Sequence, residues 1–292
     1  MWRPQRILVG TDFSETGQAA VDVAMRLGRR AGARVDLVHA LQDRSRWVTG
    51  YSVIDDLLVA GEHPAELRAR VTKRLEELGQ KLGPPEPKLH ALSGDPAAEI
   101  LALRELLGAD LLVLGARGLR GIRRFLLGSI SDRALRRPGS PLLLVREHPA
   151  GGEFKKILVG VEDPSVSPRW LEVALALAHE ERADVFVLHV LPPKGYLSDG
   201  RRVELYPRKI TSELERRVAE LDPSIPIQVI VRRGDPVHLL PSVARKLAAD
   251  LVVLGAERHA DGFPGRVTDR VARAGLPALM VVWPEEPEAE GG

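Results

Sequence analysis

Residues 111–118 read Leu-Leu-Val-Leu-Gly-Ala-Arg-Gly, an aliphatic run that ends on two closely spaced glycines. Residues 251–256 repeat its beginning as Leu-Val-Val-Leu-Gly-Ala. An aliphatic run without polar alternation is typical of a strand covered by helices on both faces, as in a parallel sheet. This stretch therefore predicts an α/β fold that occurs twice in the chain.

The duplication continues outside this run. Ile7-Leu8-Val9-Gly10 returns 150 residues later at Ile157–Gly160, and Gly94-Asp95-Pro96 returns 140 residues later at Gly234–Pro236. Because the displacement falls from 150 to 140, the second copy is a shortened duplicate of the first.

The length and the repeat together define the domain organisation. A chain of 292 residues has room for two domains of ordinary size. Pro and Gly near residues 148–153 interrupt regular structure between the copies. We expect one domain over residues 1–148, a second over 153–284, and an acidic, disordered tail over 285–292.

Each copy alternates apolar runs with segments of helical periodicity. After the first run of each copy, one apolar helix face is formed by Ala20, Val23, Ala24 and Leu27, and by Trp170, Val173, Ala174 and Leu177. This alternation predicts two tandem doubly wound domains, each with a Rossmann-like parallel sheet of five strands. Ligands of such sheets bind outside the carboxyl ends of the strands where the winding reverses, so the loops after the first and fourth strands are the candidate sites.

Composition and charge exclude several classes of function. The chain has no cysteine, which excludes disulfide frameworks, thiol catalysis and cysteine-bound zinc. It has no apolar run of about 18 residues and no signal-peptide core, so we expect a cytoplasmic protein without membrane contact. The net charge of +2 conceals +5 over residues 1–150 and −3 over 151–292. Nucleic-acid binding is disfavoured because the basic cluster is local and aromatic residues make up 4% of the chain.

The loop after the fourth predicted strand has the pattern G-x2-G-x9-G-S, formed by Gly115, Gly118, Gly128 and Ser129. Glycines let backbone N–H groups approach a ligand closely, and a serine at the start of a helix adds a hydroxyl to the free N–H groups there. The loop therefore predicts a phosphate site. Seven arginines lie in residues 115–137 against one acidic residue, which agrees with an anion site, although a solvated basic face explains any single arginine equally well.

Three motifs, in this order along the chain, resemble one family. Ile7-Leu8-Val9-Gly10-Thr11-Asp12-Phe13-Ser14 follows a short N-terminus, Leu37-Val38-His39-Ala40 ends the second predicted strand, and the glycine-serine loop comes third. Together they resemble the universal stress protein family in its tandem-domain form, over nearly the whole chain and most specifically in the first half. The resemblance implies an adenine nucleotide alpha hydrolase-like fold that binds ATP or AMP, with Mg²⁺ bound through the phosphates.

The resemblance also implies roles for individual residues. Asp12 is expected near the adenosine and the backbone of Ala40 at the adenine. The phosphates are expected on Gly115, Arg117, Gly118, Gly128, Ser129, Ile130 and Ser131, with Ser131 donating a second hydroxyl. For Asp12 the alternative is a turn or cap residue before the first helix.

Two apolar runs end the two domains, Leu142–Val145 and Leu279–Val282. Each is typical of an edge strand that pairs with a partner. In the family such final strands mediate dimerisation, so the resemblance implies that the halves form an internal pseudo-dimer. A homodimer through the same strands is the intermolecular version of this expectation.

The second copy serves as an internal control for the predicted phosphate site. Gly118 is replaced by Arg258, Ser129 is replaced by Arg266, and the loop between them is three residues shorter. A side chain at the second glycine position obstructs close backbone approach. We therefore expect the second site to be empty or to hold a different ligand.

No motif in the sequence specifies a dedicated catalytic centre. The P-loop, G-x-G-x-x-G and G-x-S-x-G patterns are absent, and His39 recurs as His189 in the altered copy, which favours a shared structural role.

We interpret the chain as an adenine-nucleotide-binding stress-response or signalling module. One alternative is an enzyme that hydrolyses ATP slowly, and another is a scaffold that uses the fold only to dimerise. The apolar stretch 47–59 is either a lid or partner surface or an ordinary hydrophobic cluster.

Overall fold

The computed structural model describes residues 2–42, 64–116, 127–163, 169–191, 207–222, 224–257, 259 and 262–284. The apolar stretch 47–59 and the acidic tail 285–292 lie outside these ranges. None of the helices within them is both long and apolar enough to cross a membrane.

Each half alternates strands and helices within the described residues. The first half contains β1 (Arg6–Gly10), α1 (Glu15–Ala31), β2 (Arg34–Gln42), α2 (Pro64–Leu82), β3 (Lys88–Gly94), α3 (Pro96–Leu107), β4 (Leu111–Gly115), α4 (Ser129–Leu135) and β5 (Leu142–Val145). The second half repeats the order as β6 (Lys156–Val161), α5 (Arg169–Glu181), β7 (Asp184–Leu191), α6 (Pro207–Leu221), β8 (Ile227–Arg233), α7 (Pro236–Leu247), β9 (Leu251–Gly255), α8 (Arg266–Ala272) and β10 (Ala278–Val282). A short 3-10 turn, Ala150–Gly152, lies between β5 and β6, within the predicted linker.

All ten strands form one sheet in the order β3-β2-β1-β4-β5-β10-β9-β6-β7-β8. Neighbouring strands within each half are parallel, with Ile7 of β1 opposite Val35 of β2 and Leu111 of β4. The halves meet where β5 and β10 pair antiparallel, with Leu144 opposite Leu279. This confirms the two doubly wound halves of five strands each, which join through their final strands into one sheet. The winding reverses between β1 and β4 and between β6 and β9, so each half has its switch point there.

Two helical layers cover the sheet and explain the aliphatic runs. Helices α1, α2, α5 and α6 enclose one core, and α3, α4, α7 and α8 enclose the other. Along β4, Leu111 and Val113 face the first core while Leu112 and Leu114 face the second. Because both faces of the strand are buried, no polar residue alternates with the apolar ones.

Equivalent aspartates cap α3 and α7 in the two halves. Asp95 accepts a hydrogen bond from the backbone N–H of Ala98 at 2.9 Å, and Asp235 accepts one from Val237 at 3.0 Å. In both helices a proline occupies the first turn, where the missing N–H costs nothing. The capping N–H groups lower the pKa of each aspartate.

The face of the junction formed by α1 and α5 carries a buried ion cluster. Glu181 is 1% exposed and accepts hydrogen bonds from Arg26 and from the backbone N–H of Phe154, the latter at 3.0 Å. Arg30 also pairs with Glu181, with 3.3 Å between Nη1 and Oε1. Burial lowers the pKa of Arg26, and its attraction to Glu181 opposes that shift. The cluster therefore ties α1 of the first half to the end of α5 in the second.

Candidate functional site

The candidate site of the first half lies at the carboxyl ends of β1 and β4, where the winding reverses. Gly115 ends β4 against the first turn of α1. A Cβ atom added to Gly115 would lie 2.9 Å from the carbonyl carbon of Thr16 and 3.0 Å from the amide nitrogen of Gly17. Real Cβ contacts are not this short, so glycine is required for β4 and α1 to meet. The close approach that the motif predicted is thus made, within the protein, to the backbone of α1.

Asp12 belongs to the turn between β1 and α1. Its Oδ1 accepts hydrogen bonds from the amide and the hydroxyl of Ser14, at 3.0 Å and 2.5 Å. The hydroxyl oxygen of Ser14 in turn accepts the N–H of Gly17 at 3.1 Å and caps α1. The alternative interpretation of Asp12 as a turn residue is therefore observed. Its expected place near an adenosine stays a prediction.

Ser131 has a structural hydrogen bond that the sequence did not reveal. Its buried hydroxyl donates to the carbonyl oxygen of Gly115 at 2.7 Å. The hydroxyl of Thr268 makes the same 2.7 Å bond to Gly255 in the second half. A serine hydroxyl has one hydrogen to donate, so in this arrangement Ser131 has none for a phosphate. Ser131 thus holds α4 against the end of β4 in this structure, and its expected hydroxyl contact with a phosphate stays a prediction.

The remaining described residues of the loop lie around the start of α4. The amide of Gly128 donates to the carbonyl of Ala116 at 2.9 Å, which closes the loop at its base. Ser129 is exposed, whereas Ile130 is half-buried and packs on the core beneath α3 and α4. Arg117 and Gly118 lie outside the described residues.

Ala40 and His39 lie near the end of β2, next to β1. Ala40 is half-buried and pairs with Leu92 of β3, so it lies two strands away from Gly115. Nδ1 of His39 lies 2.7 Å from the carbonyl oxygen of Thr11. His189 makes the equivalent contact to the carbonyl of Val161 at 3.0 Å, which confirms the shared structural role.

Sequence reasoning missed an aromatic stack beside this strand end. The ring of Phe13 stacks on His39 with a centroid separation of 4.9 Å. The guanidinium of Arg74, on α2, lies 4.3 Å from the centre of the Phe13 ring. Phe13 has a φ of 61°, a left-handed conformation that is unusual for a residue with a side chain. The sequence contains no pattern that predicts this stack, because it depends on the left-handed conformation of Phe13.

Two described arginines of the basic cluster have acidic partners. Arg133 pairs with Asp95, the cap of α3, and both side chains are about half exposed. Arg136 pairs with Asp132 within α4 and with Asp269 in the second half. These contacts fit the alternative of a solvated or structural basic face better than direct phosphate contacts.

The switch point of the second half has a different lining. A Cβ atom on Gly255 would lie 2.6 Å from the indole ring of Trp170. The indole N–H of Trp170 donates to the carbonyl of Gly160, at the end of β6, at 2.8 Å. Trp170 therefore occupies the position against β9 that the backbone of Thr16 and Gly17 occupies against β4.

The loop of the second half also carries charged side chains. A Cβ atom on Gly265, just before α8, would lie 3.1 Å from Oε1 of Glu257. Arg266 replaces Ser129 and lies 3.8 Å from the carboxylate of Asp235. The described part of this loop thus presents the carboxylate of Glu257 where the first half has Arg117, and the guanidinium of Arg266 where it has Ser129.

The fold and the site define a class of protein: a tandem, doubly wound α/β protein with a glycine-serine loop at the switch point of its first half. The model of the universal stress protein family matches residues 4–146 and 153–282. The chain therefore belongs to the universal stress protein family, as a tandem-domain member.

Relatives of known sequence and structure agree with this assignment. Universal stress protein Rv2623 of Mycobacterium tuberculosis is 26% identical over 277 residues, which cover 91% of this chain and 90% of that protein. A universal stress protein of Mycolicibacterium smegmatis is 27% identical over 300 residues, covering 95% and 97%. The crystal structure of a universal stress protein from Archaeoglobus fulgidus superimposes with a TM-score of 0.71 at 19% identity, covering 97% and 99% of the two chains. This last similarity supports the fold alone.

Proposed function

We propose that the first half of the chain binds an adenine nucleotide, ATP or AMP, and that the protein acts as a stress-response or signalling module whose contacts depend on that nucleotide. The observation that carries the proposal is the construction of the first switch point. There Gly115 brings β4 against α1 with no side chain between them, and Ser131 holds α4 against the same glycine. A crevice with small residues at the carboxyl edge is where sheets of this winding bind their ligands.

The proposed contacts divide the nucleotide between two groups of residues. Asp12 and the backbone of Ala40, at the ends of β1 and β2, are assigned to the adenosine. The phosphates are assigned to Gly115, Arg117, Gly118, Gly128, Ser129 and Ile130. Ser131 is assigned a positioning role because its hydrogen is donated to Gly115.

We propose that Mg²⁺ binds only together with the nucleotide, through its phosphates. Within the described ranges, no three His, Asp or Glu side chains cluster in a way that could hold a metal ion. Mg²⁺ usually keeps several waters and binds substrate phosphates with few protein carboxylates. A Mg²⁺ ion that accompanies ATP is therefore expected to take its ligands from phosphate oxygens and water.

Nucleotide that copurifies with the protein provides the first test. Purified protein is denatured, and the supernatant is separated by anion-exchange chromatography and compared with ATP, ADP and AMP standards. We expect adenine nucleotide at close to one equivalent per chain, and nucleotide-free protein is expected to give a saturable calorimetric titration with ATP. A blank supernatant together with no titration signal would refute the proposal.

A matched pair of variants tests which half binds. Gly118→Val places a branched side chain at the second glycine of the loop, and we expect it to abolish binding because the backbone can no longer approach the phosphates. Arg258→Ala changes the equivalent position of the second half and is expected to leave the affinity unchanged. Loss of binding in Arg258→Ala alone would assign the nucleotide to the second half and contradict the proposal.

A further inference from the structure

Helix α4 connects the candidate phosphate loop to the second half of the protein. It begins at Ser129, at the carboxyl edge of the first half, and its last turn ends at Arg136. Because β5 and β10 are antiparallel, the strands of the second half point the opposite way. The loop after β9, which corresponds to the phosphate loop of the first half, therefore lies at the edge where α4 ends.

Gly262, in the loop after β9, packs directly on the end of α4. A Cβ atom on Gly262 would collide with the carbonyl oxygen of Arg136. Gly262 has a φ of 75°, which strains any residue with a side chain. Its amide donates to the carbonyl of His259 at 2.9 Å, which fixes the turn. The contact is thus backbone against backbone and requires glycine.

Four charged residues join α4 to α8 around the pseudo-twofold axis. Arg136 contacts Asp269 at 3.3 Å, and Arg273 pairs reciprocally with Asp132. Each arginine also pairs with the aspartate of its own helix, at 3.4 Å in α4 and 3.0 Å in α8. Because the pairs are partly exposed, each contributes little to the free energy of unfolding. Their role is to hold the side of α4 against α8, while Gly262 contacts the end of α4.

The other end of α4 is fixed to the first switch point. Ser131 donates to the carbonyl of Gly115 at 2.7 Å, and the amide of Asp132 closes the first turn of α4 on the carbonyl of its N-cap residue Gly128 at 2.8 Å. A helix of seven residues is about 10 Å long and does not bend appreciably. A displacement of its end by the second half therefore moves Gly128 and Ser129.

We propose that the second half positions α4 for the first half, with Gly262, Asp269 and Arg273 as positioning residues for the phosphate contacts. The shortened loop of the second half is then a seat for α4 in place of a second nucleotide site. This inference rests on the proposed nucleotide binding of the first half.

The first test compares two glycine variants in the full chain. Gly262→Ala introduces the collision with Arg136, and Gly108→Ala is the control, since Gly108 has a φ of 59° but an added Cβ would meet no atom within 4 Å. Binding of ATP and of adenosine is measured by calorimetry. We expect Gly262→Ala to weaken ATP about tenfold and adenosine by less than about twofold, because adenosine has no phosphates. Gly108→Ala is expected to change neither affinity.

The second test needs no nucleotide. Arg273→Gln removes the contact with Asp132 without changing a glycine. It therefore tests the same connection if Gly262→Ala folds poorly. Hydrogen exchange of the amides of residues 128–135 is compared in wild type, Gly262→Ala, Arg273→Gln and Gly108→Ala. We expect faster exchange in the two seat variants only.

The outcomes separate this inference from the proposed function. If wild type binds no nucleotide, the proposed function fails while hydrogen exchange still measures the connection. If wild type binds ATP but both seat variants keep wild-type affinity and wild-type exchange, the positioning role is overturned. Equal weakening of ATP and adenosine would also overturn it, since the effect would then not act through the phosphates.

Discussion

The two halves of this protein have the same arrangement of strands and helices but differ at their switch points. In the first half, Gly115 lies against the backbone of Thr16 and Gly17, whereas in the second, Gly255 lies against the indole of Trp170. The hydrogen bonds that hold this arrangement are the same in both: a hydroxyl from the last helix to the glycine carbonyl, and a histidine to the carbonyl after the first strand.

The difference teaches which contacts belong to the fold and which to a ligand. Hydrogen bonds from a hydroxyl and a histidine to backbone carbonyls occur in both halves, where they satisfy carbonyl oxygens at the carboxyl ends of the strands. At two positions of the loop the halves differ, because Gly118 and Ser129 stand where the second half has Arg258 and Arg266, whereas Gly115 and Gly128 recur as Gly255 and Gly265. Gly118 and Ser129 are therefore the positions at which the proposed phosphate contacts distinguish the two halves.

Truncation after residue 148 tests whether the first half can pair with itself. Strand β5 is buried against β10, and Leu142, Leu143 and Val145 are each 0% exposed. Removing the second half uncovers this edge, and Asp132 and Arg136 are complementary to a second copy of themselves. We expect the fragment to sediment as a dimer at micromolar concentration. A folded, monomeric fragment would show that the two halves are not interchangeable at the junction.

Glu181→Ala tests the face of the junction formed by α1 and α5, which carries the buried ion cluster. The substitution leaves Arg26 buried without its partner, and breaking a buried ion pair in this way costs about 3–5 kcal/mol. The free energy of unfolding is measured by urea denaturation. Asp132→Asn on the opposite face is the control, and its partly exposed pairs are worth at most about 1 kcal/mol. Equal losses in the two variants would contradict the distinction between the faces.

Gly115→Ala and Gly255→Ala compare the two switch points directly. Each adds a methyl group to a crowded site and is expected to destabilise the protein by about 1–3 kcal/mol. Only Gly115→Ala is expected to weaken ATP binding, because it separates β4 from α1 beside the proposed phosphate loop. Calorimetric titration of both variants checks this. An equal loss of affinity in Gly255→Ala would remove the functional difference between the halves.

Asp95→Ala has the smallest expected effect, about 1 kcal/mol, through loss of the cap of α3. The capping N–H of Ala98 and the nearby Arg133 hold the pKa of Asp95 below its usual value. A carboxylate with a lowered folded pKa stabilises the protein at neutral pH, and this contribution disappears as the pH falls through the folded pKa. The difference in unfolding free energy between wild type and Asp95→Ala should therefore shrink in acid. Asp235→Ala is the matched variant of the second half and is expected to change stability in the same direction.

The sequence was sufficient for most of the fold. Aliphatic runs such as Leu111–Leu114 reveal strands buried on both faces, and an aspartate followed by a proline marks the start of α3 and α7. These signals are local, because burial and capping leave a pattern within a few residues. The apolar runs that end each domain indicated edge strands, and the resemblance to the family implied that β5 and β10 pair with each other.

The site was only partly predictable, because its decisive contacts join distant segments. The location of the glycine-serine loop follows from its spacing, but the bond from Ser131 to Gly115 depends on which carbonyl faces the helix. Periodicity placed Trp170 on a helix face without revealing that it reaches Gly255. The contact of Gly262 with Arg136 joins the two halves, and no local pattern in either half predicts which residues of the other it meets.

The antiparallel pairing of β5 and β10 has a consequence for cooperativity. A single ladder of backbone hydrogen bonds runs from β3 to β8 without interruption, so neither half has an independent sheet. Exposing one half on its own would strip β5 or β10 of its partner and leave buried apolar residues in water. We therefore expect one sharp thermal transition, with calorimetric and van't Hoff enthalpies in agreement, from a chain whose sequence contains two domains.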